Sequence, residues 1–138
     1  MDEKVKKAAA AFSGGAACSQ AVLGAFCEEY GLEKELALRL ARGLGSGLRS
    51  AEVCGAVTGA VLVVGLKHGD CKEVCNTKTE EFVRAFREKN GCLVCRELLG
   101  HDISTPGGRE KAVQENLFRT RCLELVTSAA QILEDSGY

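Results

Sequence analysis

The chain has 138 residues, a formal net charge of -1, five Phe, two Tyr, no Trp and a single Pro. That balance excludes a nucleic-acid surface, which needs a basic face or a stacking platform, and the length fits one domain, residues 1–138. Eight cysteines stand behind an opening, MDEKVKKAAAAFSGG, that lacks a signal peptide's apolar run. The expected location is therefore the reducing cytoplasm, where a retained thiol is more often catalytic or ligating than structural.

Abundant Ala and Leu, scarce Pro and apolar spacings of three and four predict an all-α fold, a compact single-domain bundle of about six helices. The first helical pattern runs through MDEKVKKAAAAF and pauses or bends at Ser13-Gly14-Gly15. The second covers Ala16 to Tyr30 and stops at Gly31. Glu33 to Arg42 forms a short helix, and GLGSGLRS follows. Although this stretch contains a GxG, no apolar strand precedes it, so it reads as a connecting loop and not as a dinucleotide fingerprint.

Ser50 is the expected N-cap of a central helix from Ala51 to about His68. Its apolar stretch, Val53 to Leu66, falls short of the about 20 residues that a membrane span takes, so the protein is expected not to span a membrane. Cys71 to Cys75 leads into a helix through Phe86, ended by Asn90-Gly91, and Cys92 to Leu99 makes a short helix stopped by Gly100. HDISTPGGRE is expected to be an exposed, mobile loop. Helical patterns from Arg109 to Phe118 and from Arg121 to Glu134, either separate or continuous, complete the chain.

The cysteines divide by position. Cys54 falls near the start of the central helix, where free N–H groups and the helix dipole favour a thiolate. Gly55 and Gly59 lie four apart beside it, a face on which a second backbone can approach closely. Cys18 lies in the first turn of its own helix and shares a face with Ala21, Val22 and Ala25. Cys27, nine residues on, is out of phase with Cys18 and is assigned to ordinary packing. Cys92-Leu93-Val94-Cys95 has the CxxC spacing of a dithiol couple but lacks the strand that a thioredoxin context requires.

Cys71 and Cys75 have helical neighbour spacing and suit a labile pair, a weak metal site or a plain surface position. Arg119 and Arg121 would lower the pKa of Cys122 if they face it, and an apolar setting would raise it. The two histidines, His68 and His101, stand apart, and no Ser/His/Asp order or paired-carboxylate arrangement accompanies them.

Taken in order, Cys18 in GAACSQAVLGAF, Cys54 through Gly59 in EVCGAVTGAVLVVGLKHG, Cys95 in CRELLG and Cys122 in RCLELV carry a resemblance. The chain resembles, nearly end to end, the redox-active proteins named for a C, GCAxxG, C, C pattern. The resemblance implies redox activity through a bound cluster, a metal or a reversible disulfide, with Cys18, Cys54, Cys95 and Cys122 as the site. Cys27, Cys71, Cys75 and Cys92 are additional thiols outside that pattern.

Three functions follow as expectations. In the first, Cys18, Cys54, Cys95 and Cys122 converge on one electron-transfer or metal site, holding an iron-sulfur cluster, less readily zinc, or working without a cofactor through reversible disulfides. Cys54 is then the most acidic of the four, and a redox partner protein, unknown, exchanges electrons with the site. In the second, Cys92 and Cys95 act as a thiol-disulfide oxidoreductase. In the third, the cysteines merely pack inside a helical interaction module without enzymatic activity.

Overall fold

The computed structural model describes residues 2–138, and among these the regular structure is helical, with no strand. Helix α1 spans Glu3–Ser13 and breaks at the Gly14–Ala17 turn before α2, Cys18–Phe26. A 3-10 turn, Cys27–Tyr30, prolongs α2 to Gly31, whose φ of 82° closes it in the left-handed manner expected of a helix-ending glycine. Helix α3 (Lys34–Ala41) follows and tightens into a 3-10 turn at Arg42–Leu44. Helices α4 (Gly55–His68) and α5 (Lys72–Asn90) are the long central pair, and α5 stops at Gly91 with φ 92°. Then come α6 (Cys95–Leu99), α7 (Pro106–Gln114) and α8 (Arg121–Asp135).

Eight α-helices thus stand where about six were expected. The C-terminal patterns are separate helices because Asn116 takes a left-handed φ of 59° between α7 and α8. The expected loop HDISTPGGRE is helical in its second half: Pro106 occupies the first turn of α7, and the Thr105 hydroxyl accepts the Gly108 N–H at 3.0 Å. Ser50 does not cap the central helix. It belongs to a tight turn, Gly47–Ala51, and α4 begins only after Cys54.

Helices α2 and α4 form the seam around which α1, α5 and α8 pack. A Cβ added at Gly59 would stand 2.6 Å from the Ser19 carbonyl oxygen, so the two backbones meet there as the glycine spacing predicted. Polar ties fix the neighbouring layer. Buried Ser19 donates its hydroxyl to the Ala41 carbonyl at 2.7 Å, and Gln20 donates its amide to the Leu38 carbonyl at 2.8 Å, locking α2 to α3.

The main core holds Leu23, Phe26, Val63, Val64, Phe86 and Leu133, among others. A second, smaller cluster gathers Ala51, Cys95, Leu99, Ile103, Ala112 and Cys122 at one end of the bundle. Cys18 and Phe12 pack against both clusters and mark the boundary between them. Among the described residues, no helix is long and apolar enough to cross a membrane.

Candidate redox site

Cys18, Cys54, Cys95 and Cys122 all line one cavity of about 930 Å³ at the boundary between the two clusters. Each arrives by a different local device. Cys18 opens α2, with the Ala17 N–H satisfied by the Gln20 side-chain oxygen at 2.9 Å. Cys122 lies in the first turn of α8, and its N–H reaches the Leu117 carbonyl at 2.9 Å.

Cys54 and Cys95 are brought together by a short extended pairing. Val53 and Val94 form an isolated antiparallel bridge; the Cys54 N–H donates to the Leu93 carbonyl at 2.8 Å, and the Cys95 N–H donates to the Glu52 carbonyl at 2.6 Å. This bridge escapes a helical reading of the sequence. Its only local signal is a valine directly before each cysteine, in EVC and LVC, since β-branched residues favour extended backbone.

The turn ahead of Cys54 is strained. Ser46, Leu48, Arg49 and Ala51 all have φ between 54° and 60°, a region in which a non-glycine residue costs on the order of 1–3 kcal/mol. Gly47 shares that sign, with φ 62°, and a Cβ there would lie 2.9 Å from the Cβ of Cys95. The glycine lets the turn close against the thiol wall of the cavity.

The four thiols are electrostatically unlike. Cys18 and Cys122 influence each other through their side chains; that interaction, followed by burial, holds the Cys18 proton on and raises its pKa well above the ordinary value. The same interaction lowers the pKa of Cys122, with the Arg121 guanidinium adding to it and burial opposing. Burial pushes Cys54 up to about 11 and Cys95 up to about 12.

The expectation that Cys54 is the most acidic thiol is therefore overturned. Cys54 is the N-cap of α4, and the backbone amides of Ala56 and Val57 act to lower its pKa, but its thiol makes no capping hydrogen bond and desolvation outweighs them. Cys122 takes that place, because its interaction with Cys18 and the charge of Arg121 both favour its thiolate.

The remaining cysteines lie outside the cavity lining. Cys27 is fully buried in the main core, its thiol directed at the Gly24 carbonyl. Cys92 precedes α6 and donates its thiol to the Glu97 carboxylate at 2.8 Å, whereas Cys95 faces the cavity. Cys71 caps α5 at the surface, and Cys75 packs partly against the main core. His68 rests edge-on against Tyr138, and His101 pairs with Glu115 at 2.7 Å; neither lines the cavity.

Thiolates are fitting ligands for zinc and for iron-sulfur clusters. Among the described residues, however, no three His, Cys, Asp or Glu side chains are gathered as a ligand set for one ion. All eight cysteines are free, and among the four the strongest mutual influence on proton affinity is between Cys18 and Cys122. The arrangement is that of four thiols lining one cavity.

Comparison with curated proteins and with solved structures finds no significant match. A family model described as "Putative redox-active protein (C_GCAxxG_C_C)" matches residues 16–136. With all four cavity cysteines inside a match that spans most of its length, the chain belongs to this C_GCAxxG_C_C family of redox-active proteins.

Proposed function

We propose that Cys18, Cys54, Cys95 and Cys122 form one redox centre in which Cys18 and Cys122 are the working dithiol. The observation that carries this reading is that Cys18 and Cys122 line one cavity and act on each other through their side chains, raising the pKa of one thiol and lowering that of the other. Thiol-disulfide chemistry starts from a thiolate, and a second thiol in contact with it is positioned to close the disulfide. Oxidation forms one S–S bond, releases the two thiol protons and passes two electrons to a redox partner protein; reduction reverses each change. Cys54 and Cys95, kept protonated by burial, wall the same cavity as reserve thiols.

The volume of the cavity favours a second reading, an iron-sulfur cluster held by the same four thiolates. One preparation separates the two. The protein is purified anaerobically, analysed for iron, zinc and acid-labile sulfide, then mildly oxidised and mapped for disulfides. The dithiol reading expects little metal, a loss of two titratable thiols and a Cys18–Cys122 linkage that reductants reverse. Stoichiometric iron and sulfide would put the cluster in its place. A Cys92–Cys95 linkage would move the function to the CxxC, and no reversible change at all would leave a helical module with packed thiols.

A further inference from the structure

The cavity that holds the thiols is also lined by Arg42, Arg49, Arg109 and Arg119, and no Asp, Glu or His contributes to its wall. In a chain of net charge -1 this is a marked local excess of positive charge. Among the described residues none of these guanidinium groups is ion-paired; the arginines that are, Arg96 and Arg121, bond to Glu52 and Glu124. Arg49 and Arg109 both donate to one oxygen, the Ser46 hydroxyl, at 3.0 and 3.1 Å. Two cations on a single neutral acceptor repel each other, and an anion beside them would relieve that repulsion.

The scaffold holds this arrangement deliberately. Ser46 and Arg49 belong to the strained left-handed turn, and Arg109, partly buried, lies over the Phe118 ring at 5.3 Å. Asp102 is the acidic group that acts on Cys95 from outside the wall; it is exposed and tied to Ser104. It leaves the arginines unneutralised. Guanidinium groups match carboxylates with two parallel hydrogen bonds, so several of them round one cavity select for a small molecule with more than one negative charge.

We propose that the cavity binds a low-molecular-weight disulfide bearing carboxylates, with the arginines holding the carboxylates while the thiols reduce the disulfide. This rests on the dithiol reading above. The Cys122 sulfur attacks one sulfur of the ligand, forming a mixed disulfide and displacing the first small thiol. The Cys18 sulfur then attacks Cys122, forming the protein disulfide and displacing the second. Two protein thiols and one small disulfide give one protein disulfide and two small thiols; the two thiol protons end on the products, and the ligand is the oxidant.

The test uses the reduced full-length protein and three disulfides of similar size: dithiodipropionate with two carboxylates, neutral hydroxyethyl disulfide and cationic cystamine. Each rate is divided by that of a small neutral thiol with the same disulfide, which removes intrinsic reactivity. The acidic disulfide is expected to react at least about tenfold faster than the neutral one at low salt, the cationic one slower than either, and the preference to shrink as salt screens the arginines. In Arg42→Gln/Arg119→Gln, two exposed positions whose loss spares the core, the acidic-to-neutral ratio falls towards one. Reaction with all three disulfides at equal normalised rates overturns the anionic-ligand proposal and leaves the dithiol standing. Failure of all three to oxidise Cys18 and Cys122 overturns both.

Discussion

The α2–α4 seam and the thiol cavity lie side by side and treat the same residue type in opposite ways. At the seam, backbone meets backbone at Gly59 and Ser19, and Cys27 at the far end of α2 is a small apolar filler with no exposed surface. At the cavity, the Gly47–Ala51 turn and the bridge at Val53 and Val94 bring Cys54 and Cys95 into one wall, and cysteines of the same intrinsic chemistry acquire different proton affinities. A cysteine becomes chemically distinct where packing leaves room and where another thiol or a cation faces it. Burial alone makes it inert.

The most severe way to break this contrast is to open the seam. Gly59→Leu should cost about 3 kcal/mol or more, because even its Cβ would overlap the Ser19 carbonyl. Denaturant unfolding measures the loss, and disulfide mapping of the folded fraction should show the Cys18–Cys122 linkage reduced, since α2 carries Cys18 and α4 is seated against it. Gly65→Ala on the same helix faces open space and should instead stabilise by about 0.5–1 kcal/mol.

At the cavity, Cys122→Ser should abolish the reversible couple while leaving the circular dichroism helical. Cys18→Ala sharpens the point differently. Without the thiol that faces it, Cys122 loses the main cause of its lowered pKa, so its alkylation at neutral pH should slow several-fold and its titration move upward. Unchanged alkylation would mean that Arg121, not Cys18, sets the reactivity.

Alkaline titration compares the thiols within the cavity. Cys54 and Cys95 are acids whose folded pKa values, about 11 and about 12, exceed the ordinary value of 9.0, so the folded protein retains protons that the unfolded chain releases. Their contribution to stability is full below about pH 9 and is lost as pH rises towards 11 to 12. Cys122, whose pKa is lowered, works with the opposite sign: its contribution is present above the unfolded value and fades as pH falls through the folded one. The unfolding midpoint should therefore decline above about pH 9, and less steeply in Cys95→Ala.

The smallest effects belong to thiols outside the cavity. Cys27→Ser should cost about 1 kcal/mol through its buried site and leave the redox couple intact, and exposed Cys71→Ser should change stability by less than about 0.5 kcal/mol. Loss of the couple in either variant would dissolve the distinction between packing thiols and cavity thiols.

Much of the helical framework was legible because its signals are local. Gly31, Gly91 and Gly100 end helices where the sequence places them, and the Gly55/Gly59 spacing foretold the close approach of α2. The pieces misread were those with non-local causes. Ser50 has the composition of an N-cap, yet the left-handed turn from Ser46 to Ala51 postpones the helix to Gly55, and that turn is held by its fit against Cys95. HDISTPGGRE reads as a loop by its Pro and glycines, but Thr105 and Pro106 start a helix that other segments bury at Ala112.

The sequence by itself determined the all-helical class, the small-residue seam and the four-cysteine pattern that identifies the family, because residue spacing and helix-ending chemistry are properties of neighbouring positions. Only the tertiary structure decided that Cys54 and Cys95 meet across a bridge, that Cys122 and not Cys54 is the acidic thiol, and that unpaired arginines share their cavity. Proton affinity depends on desolvation and on charges within a few ångströms, and here those atoms come from segments scattered from residue 12 to residue 125.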